Sequence, residues 1–403
     1  MANTTLTAAV IAKASLAILE NELAVLKTLY RAPEEEFSST VNGYLKGATI
    51  TMRRPDDGVV RVGNVAVPTD VVEGGVTFSV DQQVGTDFKF SSTDLTLNIK
   101  ELSERVIKPR MSNIVNYMTQ DILNVAYKGF YNWVGTPGNT FTGFPSFARA
   151  AQRMDEMAIP QEMRNAILSP PDQWGMLGSQ TSLFIQGAAN DAYRSGELGQ
   201  IGGIDTMMSQ VVPTHTTGTR AGGTVNGAAQ NVTYDSVKNT WAQSLIVATV
   251  TGIANAGDVF TIAGVNMVNP KTKADTGILQ QFVVNTTTGA APTTLNISPA
   301  ITISGPYQTV AAAPANGAVI TWNAAAATAY KQNLFYHKNA IALAIVPLEM
   351  PPAAYGASRE SYKGISVRVI PTYDGVNDNS TWRLDLLYGR KVVDQRLGLR
   401  ASG

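Results

Sequence analysis

His215 and His337 are the only imidazoles in the chain, and cysteine is absent. Thiol nucleophiles, disulfides, zinc knuckles and iron–sulfur ligation are therefore excluded together. A metal site would have to be built mainly from carboxylates, and a histidine-dependent triad has just these two possible bases. His215 sits in Pro213-Thr214-His215-Thr216-Thr217 and His337 in Phe335-Tyr336-His337-Lys338, ahead of an apolar strand. Both read as packed or interface histidines rather than general bases. Neither the HExxH, GxSxG and SxxK patterns nor a calcium-binding loop occurs. The stretch Gly196-Glu197-Leu198-Gly199-Gln200-Ile201-Gly202-Gly203 fits neither phosphate-binding pattern, and its glycines read as turn residues. No catalytic residue, cofactor or metal is expected, and the acid pairs fall in turns where solvation is the default.

The elements around these residues belong to a chain of 403 residues, enough for about two to four units. Hydrophobic residues make up 44 %, so each unit can bury a core, but charged residues are only 15 %. An ordinary soluble domain carries roughly 25 %, so much of this surface must be Ala, Thr, Asn and Gly, or be covered by other protein. Lysine plus arginine (31) balances aspartate plus glutamate (31), which speaks against a dedicated nucleic-acid-binding role. The apolar stretch Leu6 to Tyr30 contains Lys13, Glu20, Asn21, Glu22 and Lys27, so it suits neither a membrane span nor a secretory signal. The chain is expected to be made in the cytoplasm.

Leu16, Leu19, Leu23, Leu26 and Tyr30 recur at intervals of three and four, which predicts an amphipathic helix that Pro33 ends. Its stripe packs on the protein's own core or, on the sharper reading, is an arm laid on a neighbouring subunit. From Tyr44 to Val67 short β-prone runs flank Arg53-Arg54-Pro55-Asp56-Asp57-Gly58, predicting a hairpin with a charged tip in which Ile50 and Met52 face Val60 and Val62. A two-stranded ribbon is marginal alone. Its Arg53, Arg54, Asp56, Asp57 and Arg61 are either solvated or in contact with another subunit.

Met111, Ile114, Val115, Met118, Ile122, Val125 and Ala126 form one stripe of a long helix through Gly129, with Pro109 kinking or restarting it. Further on, 147–157 reads as helix, 165–168 as strand, and Ser169-Pro170-Pro171-Asp172 as a capping box. Between about 222 and 330 the composition shifts to Thr, Ala, Asn, Gly and Val, with apolar runs at 245–250, 259–262, 281–284 and 318–322. That spacing predicts a small antiparallel sheet or barrel inserted into a mixed domain. Its loop Lys271, Lys273, Asp275 is solvated or an intersubunit contact. The last seventy or so residues return to strands at 341–346, 365–369 and 382–388, with a hairpin loop at 374–379. The class is α+β.

The order of these parts resembles the coat proteins of tailed phages with the HK97-like fold, in particular those of short-tailed phages that carry an inserted domain. Three stretches carry the likeness: Gly202-Gly203-Ile204-Asp205 through Val211-Val212-Pro213, then Ala248-Thr249-Val250 with Gly257-Asp258-Val259-Phe260-Thr261-Ile262, and Asn333-Leu334-Phe335-Tyr336-His337-Lys338 leading to Pro347. Trp382-Arg383-Leu384-Asp385-Leu386-Leu387-Tyr388-Gly389 is similar to the closing strand of such proteins. The resemblance implies an N-terminal helical arm at 1–39, an extended loop at 40–98 and a peripheral domain with a spine helix at 99–204. It further implies an axial domain at 205–221 and 331–403, and an inserted β-barrel at 222–330. Its implied function is a major capsid protein that self-assembles, as hexamers and pentamers, into an icosahedral shell around double-stranded DNA. A separate scaffolding protein, a portal, procapsid maturation and assembly in the host bacterial cytoplasm follow from the same likeness, with DNA only as non-specific contents and no membrane. No residue matches the Lys–Asn crosslink of some relatives. The rival readings are a tail or surface-layer component, favoured by the Thr/Asn-rich β segment, and, third, an enzyme.

Overall fold

The computed structural model describes residues 11–13, 15–16, 25–33, 40–41, 44–45, 49–54, 58, 63–64, 71–91, 103–180, 198–351, 356–362 and 365–403. The chain forms two compact units, one of residues 1–50, 78–122 and 342–391, the other of residues 51–77, 123–341 and 392–403.

The first unit is built on a sheet in which Ile341–Val346, Asn379–Val392, Ile365–Asp374 and Ser358–Tyr362 lie in that order, with Gln82–Ser91 also paired to Asn379–Val392. Val367, Val369, Leu384 and Leu386 alternate inward and are buried, as a half-covered antiparallel sheet requires. The expected hairpin loop follows from Asp374↔Asn379 pairing, with the Asp374 carboxylate accepting from Val376 N and Asn377 Nδ2. Of the N-terminal stripe, Leu16 and Leu26 are buried, and Tyr30 bridges Ala342 in parallel through Leu343 N to Tyr30 O. The predicted helix does not run on to Pro33: Leu26–Thr28 is a single 3-10 turn and Tyr30 is already in an extended bridge, whose backbone bond competes with the helical one; Leu19 and Leu23 lie outside the described residues.

The spine helix runs Lys108–Gly129 and is preceded by a wider π-turn at Ser103–Ile107, so Pro109 restarts the helix in its first turn, where a missing N–H costs nothing. Asp121 on this helix accepts from Tyr388 Oη (2.8 Å) and pairs with Arg390 Nε (2.5 Å), fixing the helix to the strand Asn379–Val392.

The second unit holds a central six-stranded sheet in the order Asn132–Val134, Gly398–Ala401, Asn333–His337, Arg164–Leu168, Ile204–Met208, Gln200–Ile201. Its middle strands are buried at every position, so the polar Arg164, Asn165, Asn333 and His337 among their apolar residues are hydrogen-bonded. Arg164–Leu168 pairs in parallel with Ile204–Met208. The boundary expected at 204 therefore falls at the start of a strand, and residues assigned separately to a peripheral and an axial domain share one sheet. Gly202 and Gly203 make the two-residue turn between Ile201 and Ile204, both with positive φ, as expected of turn glycines.

The expected capping box takes a different form. Ser169 Oγ donates to Asp172, but the Ser169 N–H is met by Asn333 Oδ1 (2.8 Å) from a distant strand. Asp172 also accepts from Phe141 N and Asn333 Nδ2, both at 2.8 Å, so the cap of the helix Pro170–Gln180 is welded into the sheet.

The charged-tip hairpin is corrected as well. Thr49–Arg53 pairs with Gly75–Ser79, not across a turn at 55–58, and Arg54 N donates to Gly74 O. The connecting segment is thus some twenty residues long. Val60, Val62, Asp56, Asp57 and Arg61 lie outside the described residues.

Candidate functional site: the neck and loop of the inserted domain

The insertion leaves the central sheet through a two-stranded neck, Thr214–Thr216 antiparallel to Ala329–Lys331. Beyond it, Thr224–Val225, Gln243–Ala248, Thr294–Ser298, Asp275–Val284, Val259–Val268 and Ile320–Trp322 form one antiparallel sheet in that order. Val225 N to Ala318 O, Gly317 N to Val225 O and Ile320 N to Gly223 O bond its first edge to its last, leaving little open edge for unwanted pairing. Leu245, Val247, Phe260, Ile262, Phe282, Leu295 and Ile297 fill its interior, while Val259, Met267 and Val283 face the core of the central sheet.

Asp258, at the base of this sheet, is 1 % exposed and organises the neck. Its Oδ1 lies 2.9 Å from His215 Nε2, and its Oδ2 accepts from Gly218 N (3.1 Å) and Asn255 N (2.9 Å) and lies 2.9 Å from Arg220 Nε. Charge-assisted bonds of this kind satisfy both oxygens of a buried carboxylate. Burial pushes the His215 imidazole below its ordinary value, outweighing the Asp258 bond that pulls the other way. The neutral ring, donating from Nε2, packs against Tyr127 and Tyr330. Burial likewise raises both phenols, Tyr330 to about 12.

Arg400, from the C-terminal strand, is fully buried. Its Nε donates to Phe130 O (2.9 Å), Nη1 to Gly257 O (2.8 Å), and its guanidinium lies 5.2 Å from the Trp133 ring. Burial brings its pKa down to about 10, so it stays charged at neutral pH. The C-terminal strand thereby holds the turn that presents Asp258. A further tie is Gln281, whose amide accepts from Trp133 N (2.6 Å) and donates to Trp133 O (2.9 Å). Trp133 lies on the edge strand of the central sheet, and Gln281 satisfies it as a neighbouring strand would.

The expected contact residues are distributed unevenly. Arg53 is exposed and 3.2 Å from Glu73, a surface pair worth about 0–1 kcal/mol. Arg54, expected at a subunit contact, is 6 % exposed and bonded within its own unit. Lys271 is exposed at the tip of the strand connection. Lys273 turns back to donate to Pro270 O (2.6 Å) and Pro306 O. Asp275 is exposed; the Gly277 N–H and then Asn266 Nδ2 hold its carboxyl below the usual range. Both histidines are buried, and His337 Nδ1 accepts from Asn339 N (3.2 Å). The neck roles of Arg220, Asp258, Gln281 and Arg400 were not expected from the sequence, where Asp258 figures only in a stretch that carries the family likeness. The signal open to inspection was a lone charge inside an apolar run, Asp258 before Val259-Phe260 and Arg400 between Leu399 and Ala401. Among the described residues no cluster of His, Asp and Glu is suited to a metal ion, and no helix is long and apolar enough to cross a membrane.

A family model described as P22 coat protein, gene protein 5, matches residues 64–400. The chain is 21 % identical over 339 residues to the major capsid protein of Acyrthosiphon pisum secondary endosymbiont phage 1, covering 80 % of each. Among solved structures it is similar to a chain of Mycobacterium phage Che8, with a TM-score of 0.50, 10 % identity, and 94 % and 90 % of the two chains covered. The CUS-3 coat protein I-domain aligns at 31 % identity and a TM-score of 0.20, covering 25 % of this chain and 94 % of that one. The fold is the HK97-like fold of phage capsids expected from the sequence.

Proposed function

The chain belongs to the P22 coat protein family, and from that premise we propose how its parts serve a shell. It is a structural protein of the phage capsid, located in the virion and assembling with copies of itself. The single observation that carries this is the family match across residues 64–400.

On our reading the shell is icosahedral, built of hexamers and pentamers around double-stranded DNA, and it forms in the bacterial cytoplasm with a separate scaffolding protein and a portal. The balanced charge and 15 % charged fraction suit a subunit that buries neutral surface against copies of itself. Arg53, with Asp56, Asp57 and Arg61, and the Lys271–Asp275 loop are the proposed intersubunit charges. Arg54 serves its own subunit instead, since removing it from its carbonyl partners would strand a buried cation.

The test is sedimentation and negative-stain imaging of the protein expressed with and without its neighbouring candidate scaffold gene. Closed shells of uniform diameter are expected. A small oligomer under every condition would overturn the reading, and tubes or flat sheets would favour a tail or surface-layer component.

A further inference from the structure

The residues that flank the 55–73 segment are gripped by the inserted domain. On one side Arg54 donates from Nη1 to Lys238 O (3.3 Å) and from Nε to Val393 O (3.1 Å), with its guanidinium 4.7 Å from the Trp241 ring. On the other side Gly75 N donates to Asn239 Oδ1 (3.0 Å). Gly74 packs so tightly on Lys238 O and Tyr234 Oη that a β-carbon there would strike both. Lys238, Asn239 and Trp241 follow the short helix Tyr234–Val237 of the insertion, and Trp241 N closes that turn on Val237 O (2.7 Å). Trp241 itself is 4 % exposed with a φ of 53°, a conformation a bulky residue holds only when its surroundings impose it.

A second arginine completes the arrangement. Arg396 lies 4.6 Å from the same Trp241 ring and 5.8 Å from Tyr307, which stacks on Tyr234 at 3.7 Å. Asp394 holds Arg396 through Nη2 at 2.9 Å. Burial alone would raise the Asp394 carboxyl, but Arg396, followed by Arg54, keeps it low. One half-buried carboxylate thus offsets two guanidiniums that share one indole.

We propose that the segment Tyr234–Trp241, with Asp394 and Arg396, is a clasp by which the inserted domain fixes Arg54, Gly74 and Gly75, and so the paired strands Thr49–Arg53 and Gly75–Ser79 that flank the 55–73 segment. A surface hairpin with solvated charges would need no such grip. The clasp couples the insertion to assembly, a consequence that rests on the reading of 40–98 as an intersubunit loop.

Hydrogen exchange and limited proteolysis of the full-length soluble subunit test the clasp apart from that reading. Arg54→Gln removes the stacking and the charged bonds, and Gly74→Ala forces the packing open without touching a charge. In both, amides of Thr49–Arg53 and Gly75–Ser79 and cleavage within 55–73 are expected to accelerate about tenfold. Amides of Val259–Val268 and Asp275–Val284 should keep their wild-type rates, which reports that the inserted domain remains folded. Arg54→Lys should fall between, since an ammonium cannot reproduce the planar fork. Unchanged exchange at the two strands in both Arg54→Gln and Gly74→Ala would overturn the clasp. Acceleration spread equally over the inserted sheet would overturn it too, by making the contact one of general stability. If the wild-type protein forms no shells yet the exchange pattern appears, the clasp stands and the capsid reading fails.

Discussion

The neck and the loop root are both held by buried arginines, but by different means. At the neck, Asp258 gathers an imidazole, a guanidinium and two backbone N–H groups, so its charge is neutralised by short directed bonds. At the loop root, Arg54 meets carbonyl oxygens and an indole face, and the nearest compensating carboxylate is spent first on Arg396. The first solution resists any displacement, because each bond left unmade costs the full desolvation of its partner. The second holds through several weaker contacts, two carbonyls and a ring face beside the tight packing of Gly74 on Lys238 O. The neck is thus a rigid joint centred on one residue, whereas the cost of a break at the loop root is spread over several contacts.

Asp258→Ala would break the contrast most severely. It leaves Arg220 and His215 without their acceptor, and a loss of about 3–5 kcal/mol is expected in urea unfolding of the soluble subunit. A loss under about 1 kcal/mol would mean that the neck is not the rigid joint. Gln281→Leu comes next. Stranding both backbone groups of Trp133 should cost about 1–3 kcal/mol, and light scattering should reveal more aggregation through the exposed edge.

The neck should also respond to acid. The folded His215 binds its proton less readily than the unfolded chain, whose value is near 6.5. Below that value the unfolded state holds more protons, so stability falls as pH drops from about 6.5 until the folded imidazole itself protonates. His337 shifts in the same direction, chiefly through burial. Unfolding free energies across pH 5 to 8 should therefore show a positive slope below about 6.5, reduced in His215→Gln and further reduced when His337 is also replaced. A flat profile in the wild-type subunit would contradict a neutral buried pair. The smallest effect is expected at Lys271→Glu, within about 0.5 kcal/mol for the subunit. Its shell yield should drop all the same; wild-type yield would remove this loop from the proposed contacts.

Much of the local structure could be read from periodicity. The spine helix declared itself through Met111 to Ala126, and the inserted sheet through its apolar runs, because a buried face forces a repeat of 3.6 or 2 residues. The partner of Thr49–Arg53 was misread, since Pro55 to Gly58 has good turn chemistry and nothing local signals a partner beyond residue 74. Ser169 and Asp172 were seen as a pair, but the third member, Asn333, lies 164 residues on from Ser169.

By itself the sequence determined the class, the order of parts, the absence of thiol chemistry and the neutral surface, and its likeness to a known family supplied the fold. Only the tertiary structure decided which charges are buried. Arg54 stands in a polar, turn-rich stretch, and the carbonyls that hold it are 184 and 339 residues away. Arg400 and Asp258 likewise meet through contacts distant in sequence. Composition records how many charges a chain has, but desolvation is set by what folds over each one, and that is a property of the assembled tertiary contacts.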